Sequence, residues 1–344
     1  MKLLIAGSDK IYAIENFYVK YLRELGVQVF HFPSQSKFYD YYQKRLTNKL
    51  IFKAGFSSIL NKIKNEFKKT VEDFSPDIIW IFKGMELEPE SLIWAKKKNI
   101  LLVNFNADSP FVFSGSGSGN AFVKSSISLY DLHLTYSLWI QQKFDREFKI
   151  PAAIIPFGFD IDELLYQKCC REAEVIKTCF VGNPDKYRGE FIQELAENGV
   201  ALDVYGNNWE KFVKHKNVRF CEAVYGENLW FILRRYRVQL NLMRPHNTDS
   251  HNMRTFEVPG VGGIQLAPTT IDHKTFFDPE KEIFIFEGID DCKKQIERLL
   301  SFSLEEANVI RETARKRSLL SGYTYKARAL QVLELFENFM IELD

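Results

Sequence analysis

The chain has 344 residues, 46% of them hydrophobic and 26% charged. That is the composition of a folded protein rather than a disordered one, and it is long enough for two domains of roughly 150 residues each. A formal net charge of +1 gives no whole-protein argument for a nucleic-acid partner, and no apolar run approaches the ~20 residues that span a bilayer. The five cysteines, with Cys169 and Cys170 adjacent, show neither zinc spacing nor a disulfide framework. The opening MKLLIAGSDK lacks the long apolar stretch of a signal peptide. A reduced, cytoplasmic protein is expected.

In chain order, KLLIAG (2–7) reads as a buried parallel strand, YAIENFYVKYLRELG (12–26) as an amphipathic helix ending at a glycine, and VQVFHF as the next strand. The run Lys44, Arg45, Lys49, Lys53, Lys62, Lys64, Lys68 and Lys69 is interleaved with Leu50, Ile51, Phe52, Phe56, Ile59, Leu60, Ile63 and Phe67. It predicts one or two basic amphipathic helices over 44–69. Such helices pack on the neighbouring sheet or touch an anionic membrane or acceptor. Strands follow at SPDIIWIFKG (75–84), ILLVNFNADSP (100–110), YDLHLTYS and AAIIPFG, with the helix EPESLIWAKKKN between the first two. Strands that alternate with helices imply a doubly wound parallel sheet, since parallel pairing needs crossovers of that length.

The pattern restarts after Phe157. VIKTCFVGNPDKYRGEFIQELAENGVALDVYG (175–206) is again strand, loop, helix, glycine and strand, and VRFCEAV, YRVQLNLM, IQLAP and EIFIFEG supply later strands. The boundary is placed where Pro156 and Gly158 interrupt the periodicity, which gives an α/β fold of two Rossmann-like domains, 1–156 and 157–324. A final helix, 325–344, closes the chain. Ligands of such sheets bind beyond the carboxyl ends of the strands, so the segments that leave those ends are the candidates for chemistry.

Four of them stand out. In HNTDSHNMRTFEVPGVGGIQLAP (246–268), Asp249 or Ser250 is a plausible N-cap for a short helix from Asn252 to Val258. The helix start and the guanidinium of Arg254 suit an anion, whereas Glu257 suits sugar hydroxyls. The glycines at 260, 262 and 263 allow close approach to a ligand or to a neighbouring strand. In FVGNPDKYRGE (180–190), a strand ends at Gly182, and Lys186 and Arg188 sit at the next helix start, without the Walker or G-x-G-x-x-G pattern. In VYGNNWE (204–210), Tyr205 or Trp209 can stack on a base while the backbone at Gly206 and Asn207 reaches its edge. In NFNADSPFVFSGSGSGNAF (104–122), Asp108 lies just past a strand end, before a Ser-Gly segment that is flexible by composition.

Taken together, these segments resemble the two-domain GT-B glycosyltransferases, and most closely the CgeB-like, spore-maturation-type branch. FVGNPDKYRGEFIQEL, YGNNW, MRTFEVPGVGGIQLAP, FFDPEKEIFIFEG and GYTYKARALQVL carry the resemblance in the C-terminal half, and NADSPF, YDLHLTYS and IPFGFD carry it in the N-terminal half. It implies a metal-independent glycosyltransferase that moves a sugar from a UDP- or GDP-linked donor to a glycan, lipid-linked or protein acceptor, and a last helix that returns to the N-terminal domain. It assigns Glu257 to the nucleotide ribose and Arg188, with Lys186, to the diphosphate. Gly182, Tyr205, Gly206, Asn207, Ser250, Asn252, Arg254 and Phe256 complete the donor side. Related retaining enzymes flank this helix with two acids eight positions apart; here the first position holds Asp249, and retention or inversion stays open. Asp108 and His251 are the catalytic candidates. His251, Asp108 and His246 would also serve a sugar-nucleotide epimerase on the same fold, and a catalytically silent sugar-nucleotide-binding protein is a third reading.

Overall fold

The computed structural model describes residues 1–113, 117–244 and 249–341. The chain divides into two compact units, Met1–Pro156 with Arg328–Asp344, and Phe157–Ala327. Among the described residues, no helix is long and apolar enough to cross a membrane.

The first unit runs β1 (Lys2–Ala6), α1 (Ile14–Glu24), β2 (Gln28–Phe32), α2 (Ser34–Lys44), α3 (Leu46–Lys53), α4 (Ile59–Phe74), β3 (Ile78–Phe82), α5 (Pro89–Lys96), β4 (Leu101–Phe105), α6 (Ala121–Ser126), β5 (Leu132–Thr135), α7 (Leu138–Lys143) and β6 (Ala152–Ile154). The strands form one parallel sheet in the order β2-β1-β3-β4-β5-β6, so the winding reverses between β1 and β3. Helices on both faces let β3, IIWIF, bury every residue. The basic run splits its apolar residues. Ile59, Ile63, Phe67 and Val71 recur every four positions on α4 and are buried, whereas α3 buries none and leaves Leu46, Leu50 and Ile51 exposed.

The second unit runs α8 (Glu163–Cys170), β7 (Val175–Val181), α9 (Lys186–Glu197), β8 (Leu202–Tyr205), β9 (Val218–Cys221), α10 (Glu227–Arg235), β10 (Tyr236–Leu240), α11 (Met253–Gly260), β11 (Gln265–Pro268), α12 (Ile271–Phe276), β12 (Phe284–Phe286), α13 (Gly288–Ser301) and α14 (Leu304–Leu320). Its parallel sheet is ordered β12-β11-β10-β7-β8-β9, with the reversal between β7 and β10. The last helix, α15 (Tyr325–Ile341), starts at the end of this unit. From Arg328 onward it belongs to the first unit, where Phe336 meets Trp80 edge to face at 5.4 Å.

The cap expected at Asp249 or Ser250 is a correction. Asn252 caps α11, its side chain accepting from Thr255 N at 3.2 Å, while the Thr255 hydroxyl accepts from Asn252 N at 3.3 Å. Ser250 is not free to cap, because its hydroxyl donates to Asp272 Oδ2 at 3.1 Å. The helix also ends at Gly260 rather than Val258. The glycine turn that follows serves packing. Gly262 is left-handed at φ 70°, and a Cβ on Gly263 would lie 2.5 Å from Leu233 O and 3.1 Å from Val258 O. Both neighbours are backbone and cannot yield, so Gly263→Ala is expected to destabilise the protein by about 1–3 kcal/mol. A urea midpoint equal to that of the wild type would show that the turn has room to spare.

Candidate functional site

The reversal point of the second sheet gathers the loops after β7, β8 and β10 with the start of α11. Asp185 caps α9 by accepting from Arg188 N at 3.0 Å. This fixes the first turn of the helix and turns Arg188 inward, where it is 8% exposed. Its Nε and Nη2 donate to Leu242 O at 3.2 and 2.7 Å, and its Nη1 donates to Asn183 O at 3.2 Å. One guanidinium thus ties the loop after β7 to the segment after β10. Burial, above all, pushes its pKa down to about 10; Asp185 opposes the shift, and the positive charges of Arg244 and Arg254 add to it.

Three guanidinium groups therefore share this end of the sheet. Arg254 Nη1 pairs with Glu257 Oε2 one turn along α11, and its buried Nε has no hydrogen-bond partner among the described residues. Against three cations stand the carboxylates of Asp185 and Glu257. A partly buried excess of positive charge, with donor capacity to spare, is what a di-anionic group requires.

The other expected donor-side residues are placed as follows. Gly182 N donates to Tyr205 O at 2.9 Å, and Gly182 O accepts from Trp209 Nε1 at 2.9 Å. A Cβ on Gly206 would lie 2.3 Å from Gly182 O, and Asn207 N donates to Asn183 Oδ1 at 3.3 Å. The loops after β7 and β8 are thus locked together. Asn252 Nδ2 donates to Asn241 Oδ1 at 2.7 Å, joining α11 to the end of β10.

Several placements correct the sequence reading. Trp209 is fully buried, edge-on to Phe180, so it braces the loop rather than offering a stacking face. The Tyr205 hydroxyl lies 3.0 Å from that of Tyr236, which donates to Asp203 Oδ2 at 2.6 Å; Tyr205 is held in a polar network on the sheet. Lys186 points outward, its side chain 87% exposed and 3.8 Å from Glu190. Phe256 is fully buried among Phe276, Phe277 and Tyr323. His251 is fully buried as well. Its Nδ1 donates to Asp272 Oδ2 at 2.7 Å, and its Nε2 accepts from Phe157 N at 3.3 Å. With both nitrogens engaged it is a structural histidine, which removes it from the catalytic candidates. His246 and residues 114–116 of the Ser-Gly segment lie outside the described residues.

In the first unit, Asp108 stands past the end of β4, its backbone N donating to Asn106 Oδ1 at 3.0 Å. Its carboxylate pairs with Lys83 Nζ at 2.6 Å. Lys83 follows β3 in a left-handed conformation at φ 58°, and its ammonium also donates to Gly117 O at 3.0 Å. Two further acids, missed in the sequence, complete the cluster at this reversal point. Glu15 is buried and accepts from Ser8 N at 2.8 Å. Glu86 is 3% exposed. Burial pushes its carboxyl up to about 7, with the charge of Glu15 pushing the same way and Lys83 opposing. Arg244 is the matching omission in the second unit. The one sequence signal for it is a cation immediately after the apolar run YRVQLNLM.

A match to the glycosyl transferase-like family spans residues 188–334. No curated protein sequence matches the chain. Among solved structures, sucrose-phosphate synthase from Thermosynechococcus elongatus superposes with a TM-score of 0.70 over 99% of this chain and 100% of that one, at 13% identity. Anabaena HepE, in complex with UDP and glucose, gives 0.66 over 98% and 100%, at 11% identity. The chain has the GT-B fold, and its 188–334 segment is glycosyl transferase-like. An enzyme described as a UDP-N-acetylglucosamine 2-epimerase, from Listeria monocytogenes, is also similar, with a TM-score of 0.57 over 100% and 97% at 12% identity.

The raised pKa of Glu86 has a measurable consequence in this GT-B chain. Between its ordinary value of 4.5 and about 7, the folded protein keeps a proton that the unfolded chain releases. Its contribution therefore falls as pH rises through that window and stays low above it. Glu86→Gln lacks this titration. It is expected to gain roughly 2–3 kcal/mol relative to wild type between pH 4.5 and 8, read from urea denaturation at both pH values. Parallel stability profiles for the two proteins would place the Glu86 carboxyl in an ordinary aqueous environment.

Proposed function

We propose that this protein is a CgeB-like glycosyltransferase that moves a sugar from a UDP- or GDP-linked donor to an acceptor hydroxyl without a metal ion. The observation that carries the reading is the grouping of Arg188, Arg244 and Arg254 at the reversal point of the second sheet, beside Glu257 on α11. On this reading Arg244 and Arg254 receive the diphosphate, while Arg188 holds the two loops that frame it. Stabilising the leaving diphosphate by fixed cations is a preorganised electrostatic effect. Glu257 orients Arg254 in the free protein and accepts from the ribose hydroxyls when the nucleotide binds. The structures similar to this chain include one holding UDP and glucose, which favours a UDP-linked donor. Against the epimerase reading stands the burial of His251, which takes away one of its acid/base groups.

Asp108 serves the acceptor side. Lys83 pairs with its carboxylate and orients it at the carboxyl edge of the first sheet, where it can position an acceptor hydroxyl. Losing a charge-assisted hydrogen bond costs about 1.5–3 kcal/mol. Arg244→Ala and Glu257→Ala should therefore each weaken UDP binding roughly ten- to a hundred-fold by calorimetry, with melting curves unchanged. Asp108→Asn should leave UDP affinity intact and cut transfer about 10²–10⁴-fold. Incubation with a panel of nucleotide sugars separates the readings: transfer or slow hydrolysis supports this one, interconversion of sugars supports the epimerase, and binding without turnover a silent module. Unaltered UDP affinity in both donor-side variants, with intact folding, sinks the assignment.

The same reading places the protein at an anionic membrane surface, through 44–69. Leu46, Leu50, Ile51 and Phe56 are exposed on and just after α3, alongside Lys44, Arg45, Lys49 and Lys53. Retention on phosphatidylglycerol vesicles should fall steeply with added salt, because exposed charges are screened within ~10 Å at 0.1 M. Failure to co-sediment even at low salt would make the run a solvated face.

A further inference from the structure

We propose that the first unit contains a binding site for a neutral alcohol with an apolar carbon skeleton, in the cavity enclosed by α2, α3, α4 and the loop after β3. The cavity measures about 390 Å³, within the range of small-molecule sites. Its walls include Phe38 and Tyr42 of α2, Phe52 of α3, Leu60 of α4 and Met85. The rings of Phe38, Tyr42 and Phe52 hold one another in place, with centroids 4.9 Å apart for Phe38–Phe52 and 5.5 Å for the stacked Phe38–Tyr42 pair. All three are only half-buried, so apolar surface remains to be covered by a ligand.

The polar end is specific. Glu86 is the one acid among the lining residues. Asn120, also in the wall, is held in place: Nδ2 donates to Met85 O at 2.8 Å, and Oδ1 accepts from Val123 N at 3.1 Å. Glu86, the Tyr39 and Tyr42 hydroxyls and the second N–H of Asn120 are the side-chain groups that can meet a ligand's polar atom. That is enough for one hydroxyl and too little for the ring of hydroxyls on a sugar.

Charge argues for a neutral ligand. Lys83 and Asp108 cancel as a 2.6 Å pair, and burial raises the carboxyls of both Glu15 and Glu86 toward their neutral forms. Among the described residues no lysine or arginine lines the cavity, and the Lys83 ammonium is already paired with Asp108. Glu86, at the polar end of the cavity, stands three residues after Lys83, whose ammonium holds Asp108. The site is therefore that of the acceptor, an inference that rests on the transferase reading above.

The test uses the full chain and no donor. Binding of 2-naphthol, a rigid ring alcohol, of geraniol, a flexible prenyl alcohol, and of naphthalene is measured by ligand-observed NMR. Wild type should bind at least one alcohol, and the tighter of the two identifies the source as a soluble aromatic or a prenyl lipid. Ala121→Trp, which fills the cavity from an exposed rim position, should weaken that binding at least ten-fold with an unchanged melting curve. Wild type should also prefer 2-naphthol to naphthalene about three- to ten-fold, the usual worth of one hydrogen bond, and Glu86→Leu should lose that preference. Absence of alcohol binding, equal affinity in Ala121→Trp, or tighter binding of 2-naphthylmethylammonium than of either alcohol overturns the proposal. UDP affinity, measured on the same samples, reports on the donor side separately. Its loss with alcohol binding intact would fault the transferase reading and leave the cavity standing.

Discussion

The second unit depends on a buried cation. Arg188 gives up most of its contact with water to hold the carbonyls of Leu242 and Asn183, and burying a charge is tolerable only when hydrogen bonds replace the lost solvent. Those two carbonyls belong to the segments leaving β10 and β7, the strands between which the sheet reverses. The same side chain therefore closes the loops and charges the space they enclose. Arg244 and Arg254 then add to a field already positive. Asp185 and Glu257 offset it in part, and each is also bound to a structural duty, one capping α9 and the other pairing with Arg254.

The first unit answers with the opposite sign. Its own reversal point collects Glu15, Glu86 and Asp108 around Lys83. Both sheets are six-stranded, parallel and doubly wound, though their strand orders differ, so architecture does not choose between an anion site and an acid-rich one; the residues at the strand ends do. Here they load one sheet with guanidinium groups and the other with carboxyls, two of which, Glu15 and Glu86, burial pushes toward their neutral forms.

Much of this was legible in the sequence. A strand such as IIWIF announces itself, because a parallel strand covered on both faces is apolar throughout. Arg188 and Arg254 were visible from their positions at helix starts. What failed was the burial of polar and aromatic side chains. His251 looks catalytic in SHNMRTFE, and nothing local says that Asp272, twenty-one residues on, will claim its Nδ1. Phe256 and Trp209 are indistinguishable from stacking residues until the packing is known. Glu86 was the reverse case. It sits in FKGMELEPE, which reads as a solvated acidic turn; only the sheet order, which sets β3 beside β1, puts it next to Glu15 in the interior. The glycines at 262 and 263 were correctly read as demanding space, and the space is filled by Arg311 O, Leu233 O and Val258 rather than by a ligand.

The course of α15 bears on how the protein is made. Ala329, Val332, Leu333 and Phe336 are buried residues of this last helix, and Phe336 closes on Trp80, in the middle of a strand synthesised long before it. Domains usually fold in the order in which they leave the ribosome. In this chain the order is inverted. The second unit, contiguous from Phe157 to Ala327, has all of its sequence before the first unit does. The first unit waits, with the Trp80 face of its sheet uncovered, until α15 has been made. A chain cut short within α15 after Ala327 would leave a complete second unit attached to an unfinished first one, its apolar face open to chaperones and to other nascent chains.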